Sequence, residues 1–263
     1  MPHFKGLPAP ETVRLDGRLE DGEIRIMHLS EDQWQDISLE HAIYLLNAYV
    51  DPGVLRRLAA RRKQDPGVVF LNLVPTGATY TGNFGEVFVY ALFEDQYGAD
   101  VPCVKLRLRL TANQALTGTD VIAVSMQGPT PAEDDHLYVS EVKTRSGSVK
   151  KTIVREAVNG VLADMHSRLA ESLLFQEKLL EESGDSAGAE RLWRFEDPVN
   201  FPYETTCMAV VLHDSDRWKD EFLNELPRRH DTGVEVVVLV VRVKCLRDWI
   251  DAVHAVAAAQ ADV

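Results

Sequence analysis

The sequence predicts an α/β fold with a central mixed sheet flanked by helices, and two observations carry that prediction. The run VEVVVLVVRV (234–243) is apolar on both faces, which is typical of a strand covered by helices on both sides. The middle of the chain reads as a helix, three strands, a long helix and a further strand, which is the order of an α/β protein. The length of 263 residues suffices for one large domain, or for a core domain with an appendage.

Residues 1–75 are predicted to form an N-terminal α/β extension that carries no recognisable motif. Apolar periodicity assigns strands over 22–30 and 68–74, and helices over 38–50 and 51–63. Asp51 and Pro52 are typical of a helix start, so they are expected to open the second helix. We expect this extension to be a docking surface or a control element, and residues 76–263 to form the core domain.

The core is predicted to begin with a helix over 81–98, in which apolar residues recur at helical spacing. Asn83 is expected to cap that helix and Gly98 to end it. VKLRLRLT (104–111) alternates strictly and is therefore predicted to be a half-buried strand. The remaining strands are predicted over 120–126, 136–144 and 205–213, and the remaining helices over 150–183, over 216–226 and at the C-terminal end.

The charge of the chain is unevenly distributed. The net charge is -13, which argues against unassisted binding to a polyanion. Residues 101–155 nevertheless carry eight Lys or Arg against five acids, so this segment is +3 and the remainder is -16. The residues predicted to bind nucleic acid are the basic ones of this segment: Lys105, Arg107, Arg109, Arg145, Lys150, Lys151 and Arg155. Such a distribution suits a polyanion that a partner delivers to one site.

We expect neither a membrane span nor a secretory signal from this sequence. No stretch approaches the roughly 18 uncharged apolar residues that a spanning helix needs. The first residues, MPHFKGLPAPETVRLDG, lack an apolar segment and a small-residue cleavage site. The expected location is therefore the cytoplasm.

Glu141-Val142-Lys143 is the strongest candidate for a chemical site. Side chains two apart on a strand share a face, so Glu141 and Lys143 are expected to project together. Asp120 opens the preceding strand, directly after Gly118-Thr119. If the two strands form an antiparallel hairpin, Asp120 lies beside Glu141 and Lys143 at one edge of the sheet.

These residue types predict a magnesium-dependent reaction. Two converging carboxylates repel each other unless a cation lies between them, and oxygen ligands with open positions suit Mg²⁺, for which Mn²⁺ is expected to substitute. A neighbouring lysine can hold a water molecule or stabilise charge on a phosphate. Glu86, on the helix before these strands, is expected to complete the metal shell with Asp120 and Glu141.

The succession GNFGEVFVYALF (82–93), GTDVIAV (118–124) and LYVSEVKTRSG (137–147) resembles the PD-(D/E)xK nuclease superfamily. More narrowly, it resembles the HamA family, the nuclease subunits of the Hachiman anti-phage defence system. The resemblance implies a restriction-endonuclease-like core and a DNA endonuclease or nickase that works with a helicase subunit, HamB. It assigns Asp120 and Glu141 as metal ligands, Lys143 as the catalytic lysine and Glu86 as the helix acid. Gly-Thr-Asp stands where the superfamily motif has Pro-Asp.

Two alternatives remain open from the sequence. The same fold can serve as a non-catalytic nucleic-acid-binding or assembly module, although such a module has no reason to keep Asp120, Glu141 and Lys143 together. It can also serve as a repair or restriction nuclease. A small acidic chain without a separate DNA-reading domain favours the partner-dependent enzyme.

Overall fold

The computed structural model describes residues 7–15, 19, 22–100, 105–108, 112, 118–128, 130–147, 150–227 and 234–262. The strands among them are β1 (Glu11–Val13), β2 (Gly22–Leu29), β3 (Val121–Ser125), β4 (His136–Arg145), β5 (Glu204–Asp214) and β6 (Val236–Val243). The α-helices are α1 (Glu31–Asp36), α2 (Ser38–Tyr49), α3 (Pro52–Arg62), α4 (Pro66–Leu71), α5 (Gly77–Gln96), α6 (Ile153–Ser167), α7 (Leu169–Ser183), α8 (Ser186–Trp193) and α9 (Leu246–Gln260). Short 3-10 helices cover Lys105–Leu108, Arg194–Glu196 and Asp220–Glu225.

The strands form one mixed sheet in the order β1-β2-β6-β5-β4-β3. The four central strands, β2, β6, β5 and β4, are parallel to one another. At the two edges of the sheet, β1 pairs antiparallel with β2, and β3 pairs antiparallel with β4. This arrangement confirms the predicted α/β fold. Because β2 pairs with β6, part of the segment 1–75 contributes to the same sheet as the residues after it. The domain division at residue 75 stays a prediction.

Helices cover both faces of the sheet, and each face has its own apolar cluster. Side chains of α2, α5 and α9, such as Phe84 and Trp249, fill the cluster on the first face, which we call the α5 face. Side chains of α6 and of the Asp220–Glu225 helix fill the cluster on the second, the α6 face. On β4, Val142 belongs to the α5 face and Val139 to the α6 face, as the alternation of a strand requires.

A glycine lets α5 lie close to β4. A Cβ atom at Gly85 would stand 1.9 Å from Oγ1 of Thr144 and 3.2 Å from Cγ1 of Val142. The first distance is shorter than atoms tolerate, so a side chain at this position would have to displace Thr144 or the helix. The contact fixes α5 over the carboxyl-terminal half of β4, where the candidate chemical residues lie.

Many of the predicted elements are confirmed. The predicted strands over 22–30, 120–126, 136–144, 205–213 and 234–243 and the predicted helices over 38–50, 51–63 and at the C-terminal end are all observed within a few residues. Asp51 caps α3 by accepting the N–H of Val54 at 2.9 Å, and Gly98 has a φ of 59° just after α5. Among the described residues, none of the helices has the length and apolar content needed to cross a bilayer.

The predicted strand over 104–111 is wrong where the structure describes it. Residues 105–108 form a 3-10 helix beside α2, in which Leu106 is buried. Nε of Arg107 donates to the backbone oxygen of Asn47 at 2.6 Å. Residues two apart do not share a face in such a helix, so the strand alternation behind the predicted basic face is not present over 105–108. Arg109 and the side chain of Lys105 lie outside the described residues.

The predicted strand over 68–74 is also wrong, because the helix α4 covers most of it. Asp65 caps α4 by accepting the N–H of Val68 at 3.2 Å, and Pro66 occupies the first turn. The sequence Asp-Pro-Gly-Val opens both α3 and α4, so the same start signal occurs twice. The apolar run that follows Asp65 belongs to a short helix that buries Val69 and Phe70.

Three helix predictions need correction in their boundaries or type. The helix predicted over 150–183 is broken at Arg168 into α6 and α7. The helix predicted over 216–226 is limited to the 3-10 helix Asp220–Glu225. Asn83 does not cap α5, which begins six residues earlier; it is buried within α5, and its Nδ2 donates to the Tyr49 hydroxyl at 2.6 Å.

We expect Gly85→Ala to lower the free energy of unfolding by about 1–3 kcal/mol, because the new methyl group must displace Thr144 or the helix. Gly82→Ala, on the same helix with nothing within 4 Å of its Cβ position, is the matched control. Alanine there is expected to stabilise the protein by about 0.5–1 kcal/mol. Urea unfolding of both variants measures the difference, and equal effects would contradict the close packing of α5 on β4.

Candidate active site

The hairpin of β3 and β4 places Asp120 beside Glu141. Val121 pairs with Ser140 in antiparallel register, so Asp120 stands opposite Glu141. The N–H of Val142 donates to Oδ2 of Asp120 at 2.9 Å, which fixes the carboxylate against β4. The predicted hairpin, and with it the meeting of Asp120 and Glu141, is confirmed.

The turn that leads into Asp120 is held by α7. Gly118 has a φ of 94°, a backbone conformation that glycine adopts without strain. The N–H of Thr119 donates to Oγ of Ser172 at 3.2 Å. The position of Asp120 therefore depends on contacts on both of its sides, with β4 through Val142 and with α7 through Thr119.

Glu141 and Lys143 project together on the α6 face, as predicted. Nζ of Lys143 donates to Oε1 of Glu141. The Glu141 side chain is 11% exposed and that of Lys143 is 32% exposed, so the pair lies at the boundary between core and solvent. The lysine therefore has room to contact a bound molecule while it remains beside the carboxylate.

Helix α6 packs directly on Glu141, again through a glycine. A Cβ atom at Gly160 would stand 2.6 Å from Cγ, 2.7 Å from Cδ and 2.8 Å from Oε1 of Glu141. The absence of a side chain at Gly160 thus makes the space in which the Glu141 carboxylate lies. The helix and the carboxylate constrain each other's position.

Asp164 is an acid near this site that the sequence analysis missed. It lies one turn after Gly160 on α6, is fully buried, and pairs with Nη2 of Arg168. A signal was present in the sequence, since Asp164 follows Ala157 and Val161 at helical spacing and so falls on the apolar face of α6. An acid in an apolar stripe is costly to bury, which indicates a specific role.

The pKa of the Glu141 carboxyl is raised above its ordinary value. Burial is the largest cause, and the negative charge of Asp120 adds to it. Lys143 opposes the rise through its hydrogen bond and its charge, and Asp164 contributes a smaller increase. Two acids and one lysine therefore leave excess negative charge in a half-buried place, which a cation would offset.

The donor atoms present fit a hard divalent cation. Asp120 and Glu141 supply carboxylate oxygens, and Lys143 beside them is partly exposed, so the site is open to solvent on that side. No cluster of three or more His, Cys, Asp or Glu residues in the described part of the chain is arranged to hold a metal. Mg²⁺ is commonly bound through one or two carboxylates, with water and phosphate oxygens as the other ligands.

Glu86 lies on α5, which packs on the opposite face of the sheet from Glu141. It precedes Tyr90 by one turn, and the Tyr90 hydroxyl lies 3.4 Å from the backbone oxygen of Asp120. Residues four apart on a helix share a side, so Glu86 is on the side of α5 that is directed at the start of β3. Asp120, Glu141 and Lys143 are brought together by β3 and β4, and a role for Glu86 as a third ligand stays a prediction.

The basic residues predicted to bind nucleic acid divide into two groups. Arg107 lies beside α2 on the α5 face, away from Lys143. Four others surround the end of β4 and the start of α6: Arg145, Lys150, Lys151 and Arg155. Lys150 pairs with Glu156 at 2.7 Å, and Arg155 pairs with Glu225 at 3.1 Å. The second group is thus placed next to the candidate site.

Comparison with known protein families gives a match over most of the chain. The sequence model of one protein family, described as HamA, matches residues 13–257 of the chain. The matched region includes every strand except part of β1, and it contains all four candidate catalytic residues. No curated protein matches the chain.

We expect Gly160→Ala to lower the free energy of unfolding by about 1–3 kcal/mol, because its methyl group overlaps the Glu141 carboxylate. In a Glu141→Ala background the same change should be neutral or stabilising, since the overlapping atoms are gone. Urea unfolding of the two single variants and the double variant measures this coupling. Additive effects of the two changes would contradict the contact between α6 and Glu141.

Proposed function

Since the chain belongs to the HamA family, we propose that it is a metal-dependent nuclease that cuts or nicks DNA as the effector of Hachiman anti-phage defence. In this proposal a HamB-like helicase subunit holds the nuclease and activates it. Asp120, Glu141 and Lys143 carry the reaction, and Glu86 assists from α5. The reaction is the hydrolysis of a phosphodiester bond.

The observation that carries the proposal is the pairing of Asp120 with Glu141 beside Lys143. A stable protein has no need for two adjoining carboxylates in a half-buried place, since their repulsion and desolvation cost free energy. The arrangement is reasonable if a cation binds there during function. The lysine next to the pair is then placed to meet the negatively charged substrate of that cation.

Mg²⁺ bound by Asp120 and Glu141 would lower the pKa of a coordinated water molecule and offset negative charge on the phosphate. The protein's own part is to hold these groups in place. The N–H of Val142 orients the Asp120 carboxylate, and Gly160 defines the space for the Glu141 carboxylate. Because these supports are backbone atoms, they need little rearrangement when substrate binds.

Lys143 supplies the positive charge of the site. Its ammonium group has three N–H donors, and one of them is directed at Oε1 of Glu141. The other two are available to a water molecule or to a phosphate oxygen. Through the contact with Glu141, the lysine is held within reach of the scissile phosphate.

The helicase partner and the DNA substrate are proposed from the charge distribution of the chain. With a net charge of -13, the chain is expected to bind DNA weakly when alone. Arg145 at the end of β4 and Lys151 just before α6 lie next to the site and would contact the backbone of bound DNA. A helicase that delivers DNA to this position would supply the affinity that the acidic chain lacks.

We expect Glu141→Gln and Lys143→Met each to reduce the cutting rate of plasmid DNA by about 100-fold or more, because each removes a group that acts on the reacting phosphate. Chelation of metal by EDTA should abolish cutting by the wild type. Conversion of supercoiled plasmid to nicked and linear forms measures the rate. The assays are run on the chain alone and with the helicase subunit and ATP.

Lys178→Gln is the matched control, since Lys178 is an exposed lysine that pairs with Glu182 on α7. It should cut at the wild-type rate. Undiminished cutting by Glu141→Gln, or full activity in EDTA, contradicts the proposed chemistry. If no mixture cuts although the complex assembles, the protein is a binding module.

A further inference from the structure

A row of basic side chains runs from the candidate active site across the carboxyl ends of the parallel strands. Arg145 on β4 is in register with His213 on β5, and His213 is in register with Arg242 on β6. All three positions are on the α6 face, the face of Glu141 and Lys143, because they continue the alternation of that face's apolar residues. Neighbouring strands are about 4.8 Å apart, so Arg145 and Arg242 are separated by about 10 Å.

A third arginine lies near Arg145 and His213. Arg217 follows β5, is exposed, and donates from Nη1 to the backbone oxygen of Gly147, just beyond β4. We call Arg145, Arg217 and Arg242 the edge arginines. His213 lies at the centre of the row. Its burial is the main reason that its pKa is low, and the positive charges of Arg145 and Arg217 lower the pKa further. With its pKa lowered, His213 adds little positive charge at neutral pH, and the arginines provide the charge at this end of the strands.

The edge arginines differ in their acidic partners. Within the described part of the chain, no acid forms an ion pair with Arg145 or Arg217. Arg242 is held by Asp220, since its Nη2 donates to Oδ1 of that residue. Its guanidinium also lies over the ring of Trp218, 5.2 Å from the ring centre.

Asp220 stands where an external anion would meet Arg242. Its side chain is 77% exposed, and its Oδ1 accepts from both Arg242 and Nε1 of Trp218. At the other end of the same 3-10 helix, Glu225 pairs with Arg155 at the start of α6. The helix Asp220–Glu225 thus places a carboxylate on each of two arginines that face this edge of the sheet.

We propose that the edge arginines bind the phosphodiester backbone of the nucleic-acid strand that extends from the active site, and that Asp220 competes with this strand for Arg242. The proposal rests on the proposed nuclease function, because that function brings a strand to Lys143. Arg145 lies two residues beyond Lys143 on the same face, so the strand passes from one to the other. Among the described residues no acid forms an ion pair with Arg145 or Arg217, so both guanidinium groups can take an external anion, and phosphate is an anion that arginine binds well through paired N–H groups.

The test measures binding without cleavage. A fluorescein-labelled single-stranded DNA of about 20 nucleotides is titrated with the full-length protein in EDTA, and anisotropy gives the Kd at several salt concentrations. We expect the double variant Arg145→Gln/Arg217→Gln to raise the Kd by about tenfold. The slope of log Kd against log salt should fall by about 1.4, since two phosphate contacts are lost.

Asp220→Asn separates this proposal from a general effect of charge. It removes the competing negative charge but leaves an oxygen to accept from Trp218, so we expect the Kd to fall about threefold or more. The matched controls are Arg247→Gln and Asp251→Asn. This pair on α9 also joins an arginine to a carboxylate (2.9 Å) and to an aromatic ring (Tyr80, 5.2 Å), but it lies on the α5 face. Both controls should bind as the wild type does.

Two results would overturn the proposal: an unchanged Kd and salt slope in the double arginine variant, or an Asp220→Asn variant that binds no more tightly than the wild type. The first result would mean that nucleic acid is not the ligand of the edge arginines and would favour an acidic protein surface instead. Because binding is measured in EDTA, failure of the nuclease chemistry does not affect the outcome. Conversely, if these variants cut and bind DNA as the wild type does, the proposed role of the edge arginines is wrong and the proposed nuclease function is unaffected.

Discussion

The structure around the candidate site depends on one electrostatic constraint, the repulsion between Asp120 and Glu141. The antiparallel register puts the two carboxylates opposite each other, where Cα atoms are about 4.5–5.5 Å apart. Three neighbouring contacts hold the two carboxylates in place despite this repulsion. The N–H of Val142 holds Asp120, Lys143 holds Glu141, and the missing side chain of Gly160 gives Glu141 its space. What these contacts do not offset is the net negative charge, and this makes the site suited to a cation.

Glycines connect this site to the rest of the fold. Gly85 brings α5 against one face of β4, and Gly160 brings α6 against the other. A Cβ atom at either glycine would displace a side chain of β4, so β4 is held closely between the two helices over its carboxyl-terminal half. A strand held on both faces keeps Glu141 and Lys143 in one orientation. Such preorganisation lets a site act on charge that develops in a reaction without first rearranging.

The sequence was sufficient to predict the site where local rules determine it. The alternation of a strand puts Glu141 and Lys143 on one face, and a hairpin brings Asp120 to Glu141, so neither prediction needed distant contacts. The same rules were insufficient where tertiary packing decides. Residues 105–108 alternate like a strand but form a 3-10 helix, because Leu106 packs into the core and Arg107 bonds to α2. The break at Arg168 has no proline or glycine to mark it, so helical periodicity gave one helix where there are two.

The most direct test of the cation site is anomalous diffraction from crystals of the protein soaked in Mn²⁺. We predict an anomalous peak between the carboxylates of Asp120 and Glu141, with oxygen distances of about 2.0–2.4 Å. The peak should be absent from crystals of the Asp120→Asn variant grown and soaked in the same way. A wild-type crystal with no peak there, or with Mn²⁺ bound only elsewhere, would contradict the account of this site.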